Sequence, residues 1–101
     1  MKIKVIIKQP GREPYVTNIS NTLKNLQNTV GGCIETVTLC TDLVIICNEE
    51  GKLKGLPHNC NVAGVDFVGT IVFAGVDGDE FCDVPMCYSD AKRLFPHLWE
   101  V

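Results

Sequence analysis

Residues Lys2 to Lys8 alternate, with Ile3, Val5 and Ile7 on one apolar face, Lys2, Lys4 and Lys8 on the other, and Ile6 as the exception. Period-two alternation of β-branched residues predicts a half-buried strand. Gln9-Pro10-Gly11-Arg12 is turn chemistry, because proline presets one turn dihedral and glycine tolerates the next. The short Pro14-Tyr15-Val16-Thr17 is therefore expected to pair back as a hairpin. From Asn18 the period changes. Ile19, Leu23, Leu26 and Val30 fall at helical spacing, Ser20 or Asn21 can cap the start, and Gly31-Gly32 can end the run in a left-handed conformation. One amphipathic helix of about three turns is predicted.

Two strand-like runs follow, Ile34 to Leu39 and Leu43 to Cys47, with only Cys40-Thr41-Asp42 between them. That spacing suits a hairpin, and the second run is apolar on both faces, which places it centrally in a sheet. Asn48-Glu49-Glu50-Gly51 reads as a turn, and an irregular segment is expected from Gly55 to about Asp66. Val68 to Ala74 is a further apolar strand, Asp77-Gly78 a hairpin signal, and Glu80 to Val84 the return strand. Ser89 or Asp90 can cap a short helix running to Phe95, where Pro96 stops it. The expected fold class is thus α+β: a small, mostly antiparallel sheet of four to six strands, one main helix packed on it and a short C-terminal helix. With no repeat, linker or low-complexity tract, residues 1–101 read as a single domain.

Composition narrows the function classes. Nine basic and twelve acidic residues leave a formal charge of −3, the wrong sign for a duplex nucleic-acid binder, whose affinity comes from clustered Lys and Arg. No apolar run approaches the ~18 residues that span a bilayer, and the N-terminus enters strand-like sequence directly, so neither membrane nor export is expected. The six cysteines, Cys33, Cys40, Cys47, Cys60, Cys82 and Cys87, then read as reduced thiols acting as small hydrophobes in a cytoplasmic protein.

No catalytic pattern is complete. Structural zinc sites pair ligands two to four residues apart, whereas Cys33, Cys40 and Cys47 are spaced by seven, and only His58 with Cys60 forms a close pair. Nothing in the pattern orients an imidazole against Cys60 or Cys87 as thiol catalysis requires. The carboxylates Glu49, Glu50, Asp77, Asp79, Glu80 and Asp83 cluster at turns, where solvent accommodates both charges of a pair. Neither a metal nor a cofactor is expected.

The ordered blocks Pro10-Gly11-Arg12-Glu13-Pro14-Tyr15-Val16, Asn21-Thr22-Leu23, Leu26-Gln27, Val30-Gly31-Gly32, Ile34-Glu35, Asn48-Glu49-Glu50-Gly51-Lys52, Gly55-Leu56-Pro57-His58-Asn59 and Gly69-Thr70 resemble the DUF3846 domain family over most of residues 3 to 84. The resemblance implies a small accessory protein of Firmicutes, their phages and other mobile elements, and transfers no reaction. The chain departs from the family pattern at Cys33, where relatives carry an aromatic residue.

The polar residues inside the matching blocks are the candidate binding set: Arg12, Glu13 and Tyr15 after the first turn, Asn48, Glu49, Glu50 and Lys52 in the second, and Asn59. Loop positions on a rigid scaffold commonly carry binding. The expected function is non-enzymatic: binding or inhibition of a host protein, or sequestration of a small ligand such as a nucleotide, in a phage or mobile-element setting that includes counter-defence. The alternatives are a metal- or thiol-dependent enzyme and a sheet-edge self-assembly module. Phe95, Leu98 and Trp99 are expected either to form an apolar patch at the contact of a homo-oligomer or to complete the core of the single chain.

Overall fold

The computed structural model describes residues 1–101 throughout. Strand β1 (Lys2–Lys8) turns back into β2 (Tyr15–Ser20), with Ile3 opposite Ile19 and Ile7 opposite Tyr15. Helix α1 (Leu23–Val30) follows, then the hairpin β3 (Ile34–Cys40) and β4 (Leu43–Asn48). A second, separate hairpin, β5 (His58–Val62) and β6 (Val65–Val68), precedes the strands β7 (Ile71–Asp77) and β8 (Glu80–Cys82). The chain ends in α2 (Tyr88–Leu94) and a 3-10 turn at Pro96–Trp99. The main sheet is antiparallel and six-stranded, in the order β2-β1-β7-β4-β3 with β8 added to β7.

Both faces of this sheet are covered, which is why β4 is buried along its whole length. On one face Ile3, Val5, Val44, Ile46 and Val72 receive Leu26 and Val30 of α1. On the other, Ile6, Ile45 and Phe73 receive Cys60, Val62 and Phe67 from the β5–β6 hairpin, and Ala91, Leu98 and Trp99 from the C-terminal segment. The α+β architecture expected from the sequence is therefore present, with the hairpin as an additional cover.

The helix is shorter than its apolar spacing predicts. Ile19 belongs to β2, where it faces Ile3, and Leu23 is 59% exposed, so only Leu26 and Val30 anchor two turns. Thr22, rather than Ser20 or Asn21, is the cap: its side chain accepts from the Asn25 N–H at 3.2 Å. Gly31, at φ 86°, ends the helix as predicted and donates to the Gln27 carbonyl.

The region from Gly55 to Asp66 is not irregular. Cys60 and Val62 point into the core while Asn61 stays outside, and the two-residue turn Ala63-Gly64, both at positive φ, returns the chain into β6. This hairpin also overturns the expectation that Lys8 faces solvent with Lys2 and Lys4. It closes over the end of β1, leaving Lys8 1% exposed, with its Nζ donating to the Gln9 carbonyl at 3.0 Å.

Desolvation holds the Lys8 ammonium below the ordinary lysine range of 10.5, while the Cys60 sulfur pulls the other way. The unfolded chain therefore binds this proton more readily, and the buried charge costs stability at neutral pH. As pH rises through the lowered folded value towards 10.5, that cost disappears. Lys8→Met is accordingly expected to be more stable than wild type at pH 7 by on the order of 1 kcal/mol. The advantage should shrink as pH approaches 10.5 in urea melts; an advantage that does not change with pH would contradict a charged, buried Lys8.

Candidate functional site

The residues that the sequence grouped lie on different elements of the fold. Arg12, Glu13 and Tyr15 lie on the β1–β2 turn and the start of β2, at one edge of the sheet. Asn48 is the last residue of β4, and Glu49, Glu50 and Lys52 follow it, beside the opposite edge strand. From β1 and β2 to β4 is two to three strand spacings of ~4.8 Å, roughly 10 to 14 Å, and the two loops leave the sheet at the same end because β1 and β4 both run antiparallel to β7.

Asn59 serves the backbone. Its Nδ2 donates to the Lys8 carbonyl at 2.8 Å and to the Gly69 carbonyl at 2.7 Å, stapling the β5–β6 hairpin to the end of β1 and the entry to β7. Its Oδ1 is buried without a partner. Asn48, 7% exposed, is likewise structural: its Nδ2 donates to the Val30 carbonyl at 3.3 Å, and its Oδ1 accepts from the Glu50 N–H at 2.8 Å. It ties the end of α1 to the turn after β4.

That turn does build a site. Together with β3, β4 and β6 it encloses a cleft of about 180 Å³. Val37, Cys47, Phe67 and Val68 form its apolar floor. Leu53, 87% exposed, and Val65 stand at its mouth. Sequence patterns pointed to Asn48, Glu49 and Lys52 of this lining and missed the apolar part, because Val37, Leu53 and Phe67 meet only through long-range packing.

Charge around the cleft is uneven: Glu35, Glu49 and Asp66 are acidic, and only Lys52 opposes them. Asp66 accepts from the Asn61 amide at 2.9 Å, which is the main reason its carboxyl titrates below the usual range. The His58 imidazole, 3.9 Å away, adds to the same effect. The carboxylate is thus held charged across the neutral and mildly acidic range.

Cysteine placement departs from the expectation of general burial. Only Cys47 and Cys60 are buried; Cys82 is half-buried, while Cys33, Cys40 and Cys87 are exposed at the end of α1, the β3–β4 turn and the start of α2. Burial pushes the Cys47 and Cys60 thiols up, and burial with Asp77, Asp83 and Asp42 nearby does so at Cys82. No three His, Cys, Asp or Glu side chains converge in metal-binding geometry. With a thiol reagent on the folded protein, three labels are expected to enter rapidly, at Cys33, Cys40 and Cys87, and the remaining three only on unfolding. Intact-mass and peptide mass spectrometry read this directly; rapid labelling of Cys60 would contradict the seated hairpin.

No helix is long and apolar enough to cross a membrane. No curated protein and no solved structure matches the chain. The family model of the domain of unknown function DUF3846 matches residues 1–95, the sheet, both helices and every wall of the cleft included, and the chain belongs to that family.

Proposed function

We propose that this chain is a non-enzymatic binding protein that occupies a host protein by taking one of its apolar side chains into the cleft over β3 and β4. The observation that carries this reading is the cleft itself: an apolar floor with an exposed leucine at its mouth. A leucine 87% exposed beside such a floor is a surface that gains by being covered.

Size argues for a side chain over a nucleotide. Sites for small-molecule ligands occupy roughly 300 to 1,000 Å³, and a cavity of about 150 Å³ takes a benzene ring. At about 180 Å³ the cleft suits one aromatic or large aliphatic group. The accessory and counter-defence setting comes from the resemblance to phage and mobile-element proteins, in which occupying a host protein needs no catalytic residue.

A random dodecapeptide display library panned against the protein tests this reading. Enriched peptides should share an aromatic or large aliphatic residue, and Leu53→Asp should weaken them at least tenfold. Because Leu53 is exposed, its replacement should change stability by no more than about 0.5 kcal/mol. Binders indifferent to both Leu53→Asp and Val65→Asp would overturn the assignment.

Self-assembly is a second reading with its own support. Both outer strands of the sheet lack lysine and proline, and β2 carries no charge at all. Mass that grows with concentration in light scattering would favour it.

A further inference from the structure

We propose, resting on the cleft reading above, that the partner enters as an extended peptide segment. It pairs antiparallel with the free edge of β3 and presents an apolar side chain to the cleft between basic residues.

The hydrogen-bond register shows which backbone groups of β3 are free. The Glu49 N–H donates to the Cys33 carbonyl at 2.8 Å, and Glu35 pairs with Cys47 and Val37 with Ile45. In an antiparallel ladder narrow pairs recur at every second residue, so Cys33, Glu35 and Val37 turn their backbone groups towards β4. Thr36 and Thr38 turn theirs outward, where the sheet has no further strand. Natural edges are usually blunted by lysine, proline, a central bulge or a covering segment. β3 carries one charge, Glu35, and its only irregularity lies at its far end, between Thr38 and Cys40.

Side-chain parity links this edge to the cleft. Glu35 and Val37 line it, whereas Thr36 and Thr38 project from the other face. In an added antiparallel strand, residues opposite Thr36 and Thr38 would supply the hydrogen bonds to β3. The residues between them would stand on the cleft side, where a large one reaches back over Val37 towards Leu53 and Phe67. The cleft lies on the β3 side of the sheet, and none of its lining residues belongs to the opposite open edge, β2.

Electrostatics select the flanking residues. Three carboxylates against one ammonium around the cleft favour a cationic neighbour, and Asp66 and Glu49 lie within the same lining as Val37. The occupant is therefore a strand with a large apolar residue and Lys or Arg two positions to either side. This is recognition by strand addition, in which main-chain bonds provide affinity and alternate side chains provide specificity.

The probe is an end-blocked peptide, Thr-Arg-Thr-Phe-Thr-Arg-Thr, titrated by fluorescence anisotropy. Saturable binding is expected. N-methylation of the two threonines that flank Phe should weaken it at least tenfold, and N-methylation of Phe or Arg should change it less than threefold. Replacing both arginines with glutamate should also cost at least tenfold. On the protein, Thr38→Pro removes one outward N–H at a position where an edge strand tolerates proline, and should abolish binding without unfolding. If Leu53→Asp weakens the peptide but neither N-methyl set does, strand addition is wrong and the cleft reading stands. Failure of this peptide to bind at 1 mM, roughly the weakest affinity of interest, while display yields other Leu53-dependent binders, would likewise reject strand addition and leave the cleft reading in place. A dimer in light scattering that Thr38→Pro dissociates would make a second copy of the chain the occupant and overturn the peptide proposal. Peptide binding indifferent to Leu53→Asp would remove both readings.

Discussion

Replacing Gly75 with alanine is expected to destabilise the protein by about 4 kcal/mol, combining overpacking with lost hydrogen bonds. A Cβ at this position in β7 would lie 2.2 Å from the Asp83 carbonyl oxygen and 2.9 Å from the Cys82 sulfur. The first of these is backbone and cannot step aside. Asp83 is itself held on both sides: its carboxylate accepts the Lys4 N–H at 2.8 Å, and the next residue, Val84, donates to the Lys4 carbonyl at 2.8 Å. Relieving the clash means peeling β8 and the segment after it away from β1 and β7, and exposing the buried Val84. Small domains are stable by only about 5 to 15 kcal/mol, so the loss should be plain in a urea melt. Gly78→Ala is the control, since that glycine, at φ 64°, has nothing within 4 Å of its would-be Cβ. It should cost about 1 kcal/mol of backbone strain alone. Equal stability of the two variants would show that β8 is not seated as described.

The C-terminal segment should prove equally necessary to the fold. Leu98 and Trp99 are 2% and 8% exposed, and Phe95 packs on Phe73 with ring centroids 5.8 Å apart. Trp99 meets Tyr88 edge-to-face at 5.5 Å and donates its indole N–H to the Tyr88 hydroxyl at 2.8 Å. Trp99→Ala removes both the packing and the hydrogen bond, and should cost about 3 to 5 kcal/mol. Deleting residues 96 to 101 should leave a chain without near-ultraviolet circular dichroism from Tyr88. These residues therefore complete the core of one chain, and the oligomer contact expected of them from the sequence loses its apolar basis. A truncated protein that stays folded would restore the interface reading.

How much of this was legible in the sequence depended on how local the signal was. The β1–β2 and β7–β8 hairpins were readable because each joins a recognisable strand run, alternating in β1 and continuously apolar in β7, to strong turn residues, Pro10-Gly11 and Asp77-Gly78. The β5–β6 hairpin was not, because its turn is Ala63-Gly64, and alanine is an unusual occupant of positive φ. Its alternation was present in Asn59-Cys60-Asn61-Val62, but asparagines on the outer face resemble a loop. Ile19 misled for the opposite reason: one apolar residue four before Leu23 satisfies helical spacing, although its partner is Ile3 across the sheet. Lys8 was misplaced because a strand pattern gives its face but not what lies over it.

The candidate site was harder to read than the fold. Matching blocks drew attention to polar loops, and two of the asparagines there, Asn48 and Asn59, proved to be hydrogen-bonded to carbonyls of distant segments. The cleft depends instead on Val37, Leu53, Val65 and Phe67, which come from β3, the turn after β4, and β6. Only the topology brings these together. Leu53 was the one residue that could have flagged the site from sequence, as a leucine inside a charged turn between Lys52 and Lys54.

An amide NMR titration of the ¹⁵N-labelled protein with a display-selected peptide reads the occupied surface residue by residue. The largest shifts are expected at Thr36, Thr38, Leu53 and Phe67, with the outward Thr36 and Thr38 amides gaining protection from exchange on binding. Shifts concentrated at Arg12, Glu13 and Tyr15, on the opposite edge of the sheet, would contradict binding at the cleft and the β3 edge.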